Sequence, residues 1–446
     1  MNTAPFCARR KKEWRIYKMK KLFAMFLALA MLLTMVGSCA VAEEKIHLTG
    51  MCWGSTAQYE QLVADVLATN PELAEKYEVS WVLGGEGDDN SAEKMRLALS
   101  ANENLCDFVV LNYTQIPEFA RAEALVDISE ALKPYADTMT TAALGLSQYE
   151  GQTIAVPFEV KTKVWFYRSD IFEECGVQVE DITDTDSFIA AGKKIQEKYP
   201  NSYMWNFGSN VSDYAYYLTL SGNGATFFDA DGNYTIASDE GTRKMLEDYK
   251  KMVDAGVIAD ISDWTPDWEN ALANGTILTQ PCAAWLGQDI FLPKYSGAGN
   301  QWKVTTWPVI GGTDAGSDAG GSVMAVPAFS AHPEEAAELI SYICLSEEGS
   351  KCVFHMTGSL PQNTVALADD SLFADQANGY FGTTFVDAQK SAVDKFAIFN
   401  YSPNASSEQT IVCEYFTKAV NGQMSIDEAL NAAQADLQTT IGNAFN

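Results

Sequence analysis

The sequence predicts an α/β chain made of two lobes joined through a hinge. Three observations carry this: strand-like apolar runs alternate with helix-spaced stretches over residues 46–111, the pattern changes register at Val156-Pro157-Phe158-Glu159, and two later extended crossings follow at 276–284 and 323–326. Ile46 to Cys52 is a short apolar stretch that ends at Trp53-Gly54-Ser55-Thr56. Tyr59, Leu62, Val63, Val66 and Leu67 then recur at helical spacing, which predicts strand, loop, helix. A second strand, Val79 to Leu83, runs into Gly84-Gly85-Glu86-Gly87-Asp88-Asp89 and a helix from Ser91 onward with Met95, Leu97 and Leu99. A third, Phe108 to Leu111, runs into Asn112-Tyr113-Thr114-Gln115. Strands alternating with helices predict a parallel sheet. In such sheets ligands bind beyond the carboxyl ends of the strands, so Trp53, Asp88 and Tyr113 stand where a site is expected.

A second α/β-like region opens at Val164-Trp165-Phe166-Tyr167 and is helix-rich through Tyr249 and Val253, with breaks such as Ser221-Gly222-Asn223-Gly224. The crossing Thr276 to Ala284 ends at Trp285, and Val323 to Val326 lies between Gly320-Gly321 and a helix from Pro333 to Leu345. The expected division is 43–157 plus 277–322 for the first lobe and 158–276 plus 323–446 for the second.

Residues 1–42 read as an export signal. A basic patch at Lys18, Lys20 and Lys21 precedes the apolar run Leu22 to Val36, which is short for a bilayer span, and small residues follow. Two cleavage readings stand. Val36-Gly37-Ser38-Cys39 has the form of a lipoprotein box, with Cys39 lipidated and the protein anchored at the cell membrane. Ala40-Val41-Ala42 is an A-x-A site that would release a periplasmic or secreted protein. Either way the mature chain works outside the cytoplasm.

Without residues 1–39 the chain carries 22 Lys and Arg against 58 Asp and Glu, a net charge of −36. That surface repels nucleic acid and anionic lipid, which leaves the lipid anchor as the membrane contact. The mature length of 407 residues is too great for one ordinary core. The seven cysteines after the signal form neither a disulfide framework nor a metal-binding pair of C-x-x-C units, although Cys344 and Cys352 are close enough in sequence to pair. His47, His332 and His355 are isolated, so a histidine metal site or a Ser-His-Asp triad has little to draw on.

The order of elements resembles the extracellular solute-binding proteins of ABC importers, in particular the sugar-binding group that includes the maltose-binding proteins. The residues that carry the resemblance run from about Ile46 to Asn363. They include Cys106-Asp107-Phe108-Val109-Val110, Ala122-Glu123-Ala124-Leu125-Val126-Asp127-Ile128, Tyr149-Glu150-Gly151-Gln152-Thr153-Ile154-Ala155-Val156-Pro157 and Trp165-Phe166-Tyr167-Arg168-Ser169-Asp170-Ile171-Phe172. Later come Ala271-Leu272-Ala273-Asn274-Gly275-Thr276 before Trp285, Glu335-Ala336-Ala337-Glu338-Leu339-Ile340, and Thr357-Gly358-Ser359-Leu360-Pro361. The resemblance implies a periplasmic-binding-protein-like fold with hinge crossovers and an interlobe ligand cleft. It further implies a monomer without cofactor, metal or catalytic residues, which takes a carbohydrate, an oligosaccharide, to the transmembrane subunits of an ABC permease.

A sugar offers apolar C–H faces and a rim of hydroxyls, so its site needs flat aromatic rings and planar carboxylates or amides. Several tryptophans lie in loops rather than in periodic stripes: Trp53, Trp205, Trp264, Trp268 and Trp285. The resemblance makes Trp285 the leading stacking platform, followed by Trp205 with Asn206 beside it; Trp81, Trp165 and Trp302 read as core. Polar contacts are expected from Glu159, Asp88, Asp89 and Tyr113, with Asp267 and Trp268 at the rim and a loop near Tyr401 close to the cleft. Lys161 is placed either to pair with Glu159 or to touch ligand, and Gly321 either lets backbone approach the ligand or permits a tight turn. Two other readings remain. The same fold could hold a polyamine, peptide or metal complex, and an exported glycoside hydrolase would need two carboxylates flanking a bond. No spaced catalytic motif or G-x-S-x-G elbow supports the enzyme.

Overall fold

A computed structural model describes residues 44–207, 220, 225–299, 301–310, 316–317, 321–377, 379–397 and 399–445. The export signal, with Cys39 and both cleavage readings, lies outside the described residues, as do Gly320 and Ser221-Gly222-Asn223-Gly224.

The expected alternation is present. Strand β1 (Ile46–Trp53) leads into the helix Thr56–Thr69, β2 (Tyr77–Gly85) into Asp88–Ala101, and β3 (Phe108–Asn112) into a 3-10 turn at Tyr113–Gln115. Asp88 and Asp89 in the first turn of their helix complement its positive end, and Asn102 closes it in the left-handed conformation at φ 53°. A small hairpin follows, β4 (Gln148–Tyr149) and β5 (Gln152–Thr153), then β6 (Val156–Glu159) and β7 (Lys163–Arg168). The remaining strands are β8 (Trp205–Asn206), β9 (Ile258–Ala259), β10 (Thr279–Ala283), β11 (Trp302–Thr305), β12 (Gly316–Ser317), β13 (Ser322–Ala325) and β14 (Phe396–Ala397). The helices Ala405–Val420 and Ile426–Thr440 close the chain, the second opened by a capping box between Ser425 and Glu428.

Two larger sheets take eight of these strands, and the other six form two-stranded pairs. The first has the order β2-β1-β3-β13-β6 and the second β10-β7-β11. Met51, Val109, Leu111, Phe119, Ile154 and Val323 form a core on the first sheet. Trp165, Phe188, Trp205, Tyr249 and Leu278 form a separate one on the second, which also takes Val412 and Phe416 from the helix Ala405–Val420. Strand pairing reverses the expected assignment of two segments. Thr279–Ala283 pairs with β7 in the second sheet, and Ser322–Ala325 lies between β3 and β6 in the first. Both runs are buried along their whole length, so neither carries the alternation that would reveal which sheet it enters.

The strand directions place one edge of each sheet at the hinge. In the first sheet β1 and β3 are parallel, and the Gly54 N–H donates to the Gly85 carbonyl (2.9 Å), which brings the end of β2 beside the end of β1. Ser322 pairs with both Asn112 and Glu159, so β6 ends on the same edge. In the second sheet β10 and β11 run antiparallel to β7 and end on the edge where β7 begins, with Ala283 opposite Lys163. A parallel bridge between Tyr203 and Ile277 sets β8 beside β10, and β9 runs parallel to β8. Only Val160, Lys161 and Thr162 separate Glu159 on the first edge from Lys163 on the second. That is a reach of at most about 14 Å. Both edges therefore lie close to the 160–162 link.

Candidate ligand site

The first edge brings together Trp53, Asp88, Asp89, Tyr113, Glu159 and Gly321. Trp53 is half-buried at the end of β1. Asp88 is partly buried and Asp89 exposed at the start of their helix. Burial pushes the Asp88 carboxyl up and the neighbouring Asp89 charge adds to this, against a hydrogen bond from Asn112.

Tyr113 and Glu159 are committed to the hinge rather than presented to solvent. The Tyr113 hydroxyl donates to the Glu159 carbonyl, and the Glu159 carboxylate is buried beside Lys161 at 2.9 Å. Ser322 donates to the same carboxylate, as does Ser359 at 3.4 Å. Lys161 thus pairs with Glu159. A Cβ on Gly321 would lie 2.1 Å from Tyr113 Cε2 and 2.6 Å from the Glu159 carbonyl oxygen. The tight approach that calls for glycine is to the protein itself.

On the second edge the expected aromatic set divides. Trp205 is 1% exposed and meets Phe207, Tyr249 and Trp307 edge-on at 4.7, 5.7 and 5.3 Å, so it is core and not a platform. Trp268 is fully buried, its indole N–H directed at Gln280 Oε1 (3.4 Å), and Tyr401 packs on Phe399 in the second core. Both were expected near the cleft. Their loop-like sequence context hid burial that only the tertiary fold supplies. Asp267 is exposed in the first turn of the helix Pro266–Asn274.

Trp285 follows the end of β10 and is half-buried. Its ring stacks on that of Trp264, with centroids 5.6 Å apart and planes 25° apart. Trp264, in the loop after β9, is 48% exposed; its loop position is visible in the sequence, its pairing with Trp285 is not. Asn206 is fully buried at the end of β8 and donates its side-chain N–H groups to the Ile261 carbonyl (2.8 Å) and to Asp263 (2.6 Å). It therefore ties down the loop that carries Trp264.

A cleft of about 920 Å³ opens between the first-edge loops and the start of the helix Ala405–Val420. Its lining includes Asp89, Thr114 and Gln115 on one side and Asn404, Ser406 and Gln409 on the other. Neither Trp53 nor Trp285 lines it. Arg96, also in the wall, holds Glu118 through two hydrogen bonds of 2.6 and 2.8 Å. Hydroxyls, amides and carboxylates dominate this wall, a lining that suits a ligand rich in hydroxyl groups. Among the described residues no cluster of three or more His, Cys, Asp or Glu is arranged to hold a metal ion, no helix is long and apolar enough to cross a membrane, and Cys344 and Cys352 are free thiols.

Comparison with known proteins agrees with this architecture. The arabinooligosaccharide-binding protein of Halalkalibacterium halodurans is 22% identical over 407 residues, covering 87% of this chain and 88% of its own length. A binding protein associated with an ABC transporter of B. animalis subsp. lactis, solved with beta-1,6-galactobiose, superposes with a TM-score of 0.71 at 20% identity, covering 90% of this chain and all of its own. The galacto-N-biose/lacto-N-biose I-binding protein of Bifidobacterium longum superposes with a TM-score of 0.74 at 20% identity, covering 91% of this chain and all of its own. These structures share the fold. The family model for bacterial extracellular solute-binding proteins matches residues 68–379, most of the chain, and the chain belongs to that family.

Proposed function

We propose that this protein is the extracytoplasmic solute-binding component of an ABC importer, that it captures an oligosaccharide between its lobes, and that it delivers the sugar chemically unchanged to a membrane permease. The observations that carry the reading are the stacked indole pair of Trp264 and Trp285 on one sheet edge and, separately, a polar cleft lined by Asp89, Thr114 and Gln409. Flat rings and a hydrogen-bonding wall are the two surfaces a sugar needs. Relatives named for arabinooligosaccharides, and similar folds solved with galactobiose and lacto-N-biose, support the same ligand class.

Trp53, Asp88, Asp89 and the stacked pair built on Trp285 are the proposed ligand contacts, with Tyr113 and Glu159 holding the hinge. The N-terminal sequence supports export, with Cys39 as the lipid-modified first residue. A thermal-shift screen of the mature protein against arabinotriose, beta-1,6-galactobiose, lacto-N-biose, maltotriose, spermidine and a short peptide tests the reading, because a ligand of the folded state raises its apparent stability. A shift with a saccharide alone is expected. A shift only with spermidine or the peptide overturns it.

A further inference from the structure

Trp264 combines two features that folding does not favour. Its large apolar ring is 48% exposed, and its backbone sits at φ 63°, a left-handed conformation that suits glycine and disfavours any residue with a Cβ. The conformation is held in place on several sides. Asn206, from a fully buried position, fixes Ile261 and Asp263 just before it, and Thr265 just after it caps the next helix by accepting from the Trp268 N–H (3.2 Å). The Trp268 ring contacts Trp264 at 4.9 Å and the Trp285 ring stacks on it at 5.6 Å. Trp285 in turn packs against a buried cluster that includes Leu286 and Phe291. The chain thus builds a ledge with Trp285 inside and Trp264 outside, at the edge that faces the hinge.

We infer, on the basis of the carbohydrate reading, that Trp264 is the ring on which a sugar face stacks, that Trp285 supports it from behind, and that Asn206 is the positioning residue that aims it. An indole face held at fixed tilt selects saccharides with a continuous patch of C–H groups on one ring face. The left-handed backbone follows from this role: the loop turns sharply so that the ring projects outward from the edge.

The test uses the mature protein and the saccharides of the screen above. Trp264→Gly suits the backbone and removes the ring, so the expected result is a melting temperature equal to or above wild type with affinity reduced at least about tenfold by calorimetry. Trp264→Phe keeps a ring and is expected to retain most of the affinity. With 5-fluorotryptophan labelling, the fluorine resonance absent from Trp264→Gly identifies Trp264. Asn206→Asp, which removes the donor, is expected to shift that resonance in the unliganded protein and to weaken sugar binding.

If wild type binds a saccharide and Trp264→Gly binds it equally, the platform role is wrong. A collapsed melting temperature in Trp264→Gly overturns it too, by making the ring structural. An unmoved Trp264 resonance in a destabilised Asn206→Asp overturns the positioning role alone. Absence of binding by wild type to every saccharide refutes the carbohydrate reading itself, an outcome distinct from the others.

Discussion

Lys163 offers a test whose size follows from its surroundings. It opens β7 at the hinge, is buried, and has its ammonium 5.8 Å from the centre of the Trp307 ring. Burial lowers its pKa from 10.5 to about 7. The sign follows from proton counting. Below pH 7 both folded and unfolded chains carry the proton, and the cost of burying the charge is fully present. Between about pH 7 and 10.5 the unfolded chain binds the proton and the folded chain does not, so stability rises with pH; above that window it is flat again. At about 1.4 kcal/mol per unit the full change is roughly 3 to 5 kcal/mol. Lys163→Met removes the titration while keeping the length of the chain. Urea unfolding at intervals from pH 6 to 10 is the assay, and the difference between wild type and variant isolates this group from the cysteines and tyrosines that titrate nearby. The variant is expected to be more stable at pH 6 to 7, with the gap closing by pH 10. Parallel curves across the window would refute the burial argument.

Three further outcomes follow from the same geometry. Lys161→Met strips the partner from the buried Glu159 carboxylate and is expected to cost about 3 to 5 kcal/mol, while Glu159→Gln combined with Lys161→Met recovers most of it; equal stability of the two variants in urea titrations would count against the pair. Gly321→Ala drives a methyl into Tyr113 and the Glu159 carbonyl and is expected to lose about 1 to 3 kcal/mol, read as a lower melting temperature that Tyr113→Ala partly relieves. Trp285→Ala removes the inner ring of the ledge and is expected to weaken saccharide binding about thirtyfold, measured by calorimetry; unchanged affinity in the folded fraction would leave the residue a purely structural one.

The sequence was most informative where periodicity was local. The three opening strands and the helix Pro333–Leu345 lie where the sequence predicts them, because short apolar runs bounded by turn residues mark strands and helical spacing marks a helix within the local chain. The helix after β2 begins at Asp88 rather than Ser91, since its first turn is acidic and solvated and shows no apolar spacing. The hinge was legible at Pro157, but not which sheet receives Thr279–Ala283 and Ser322–Ala325, for fully buried strands look alike. Site residues divided in the same way. Loop position marks a tryptophan as a candidate but says nothing of what packs over it, so Trp205 and Trp268 were expected at the cleft and lie in the cores. Asn206 was expected to touch ligand; its amide nitrogen is spent on Ile261 and Asp263, a contact across more than fifty residues that no local pattern encodes.

The central claim is that the protein captures a carbohydrate and does not transform it. Calorimetric titration of the mature protein with arabinotriose and beta-1,6-galactobiose, followed by release of the bound sugar and its mass analysis, tests both halves at once. Saturable binding at micromolar or tighter affinity and recovery of the intact sugar are expected. Steady turnover of either saccharide to smaller products, or heat only with a polyamine or peptide, would contradict the claim.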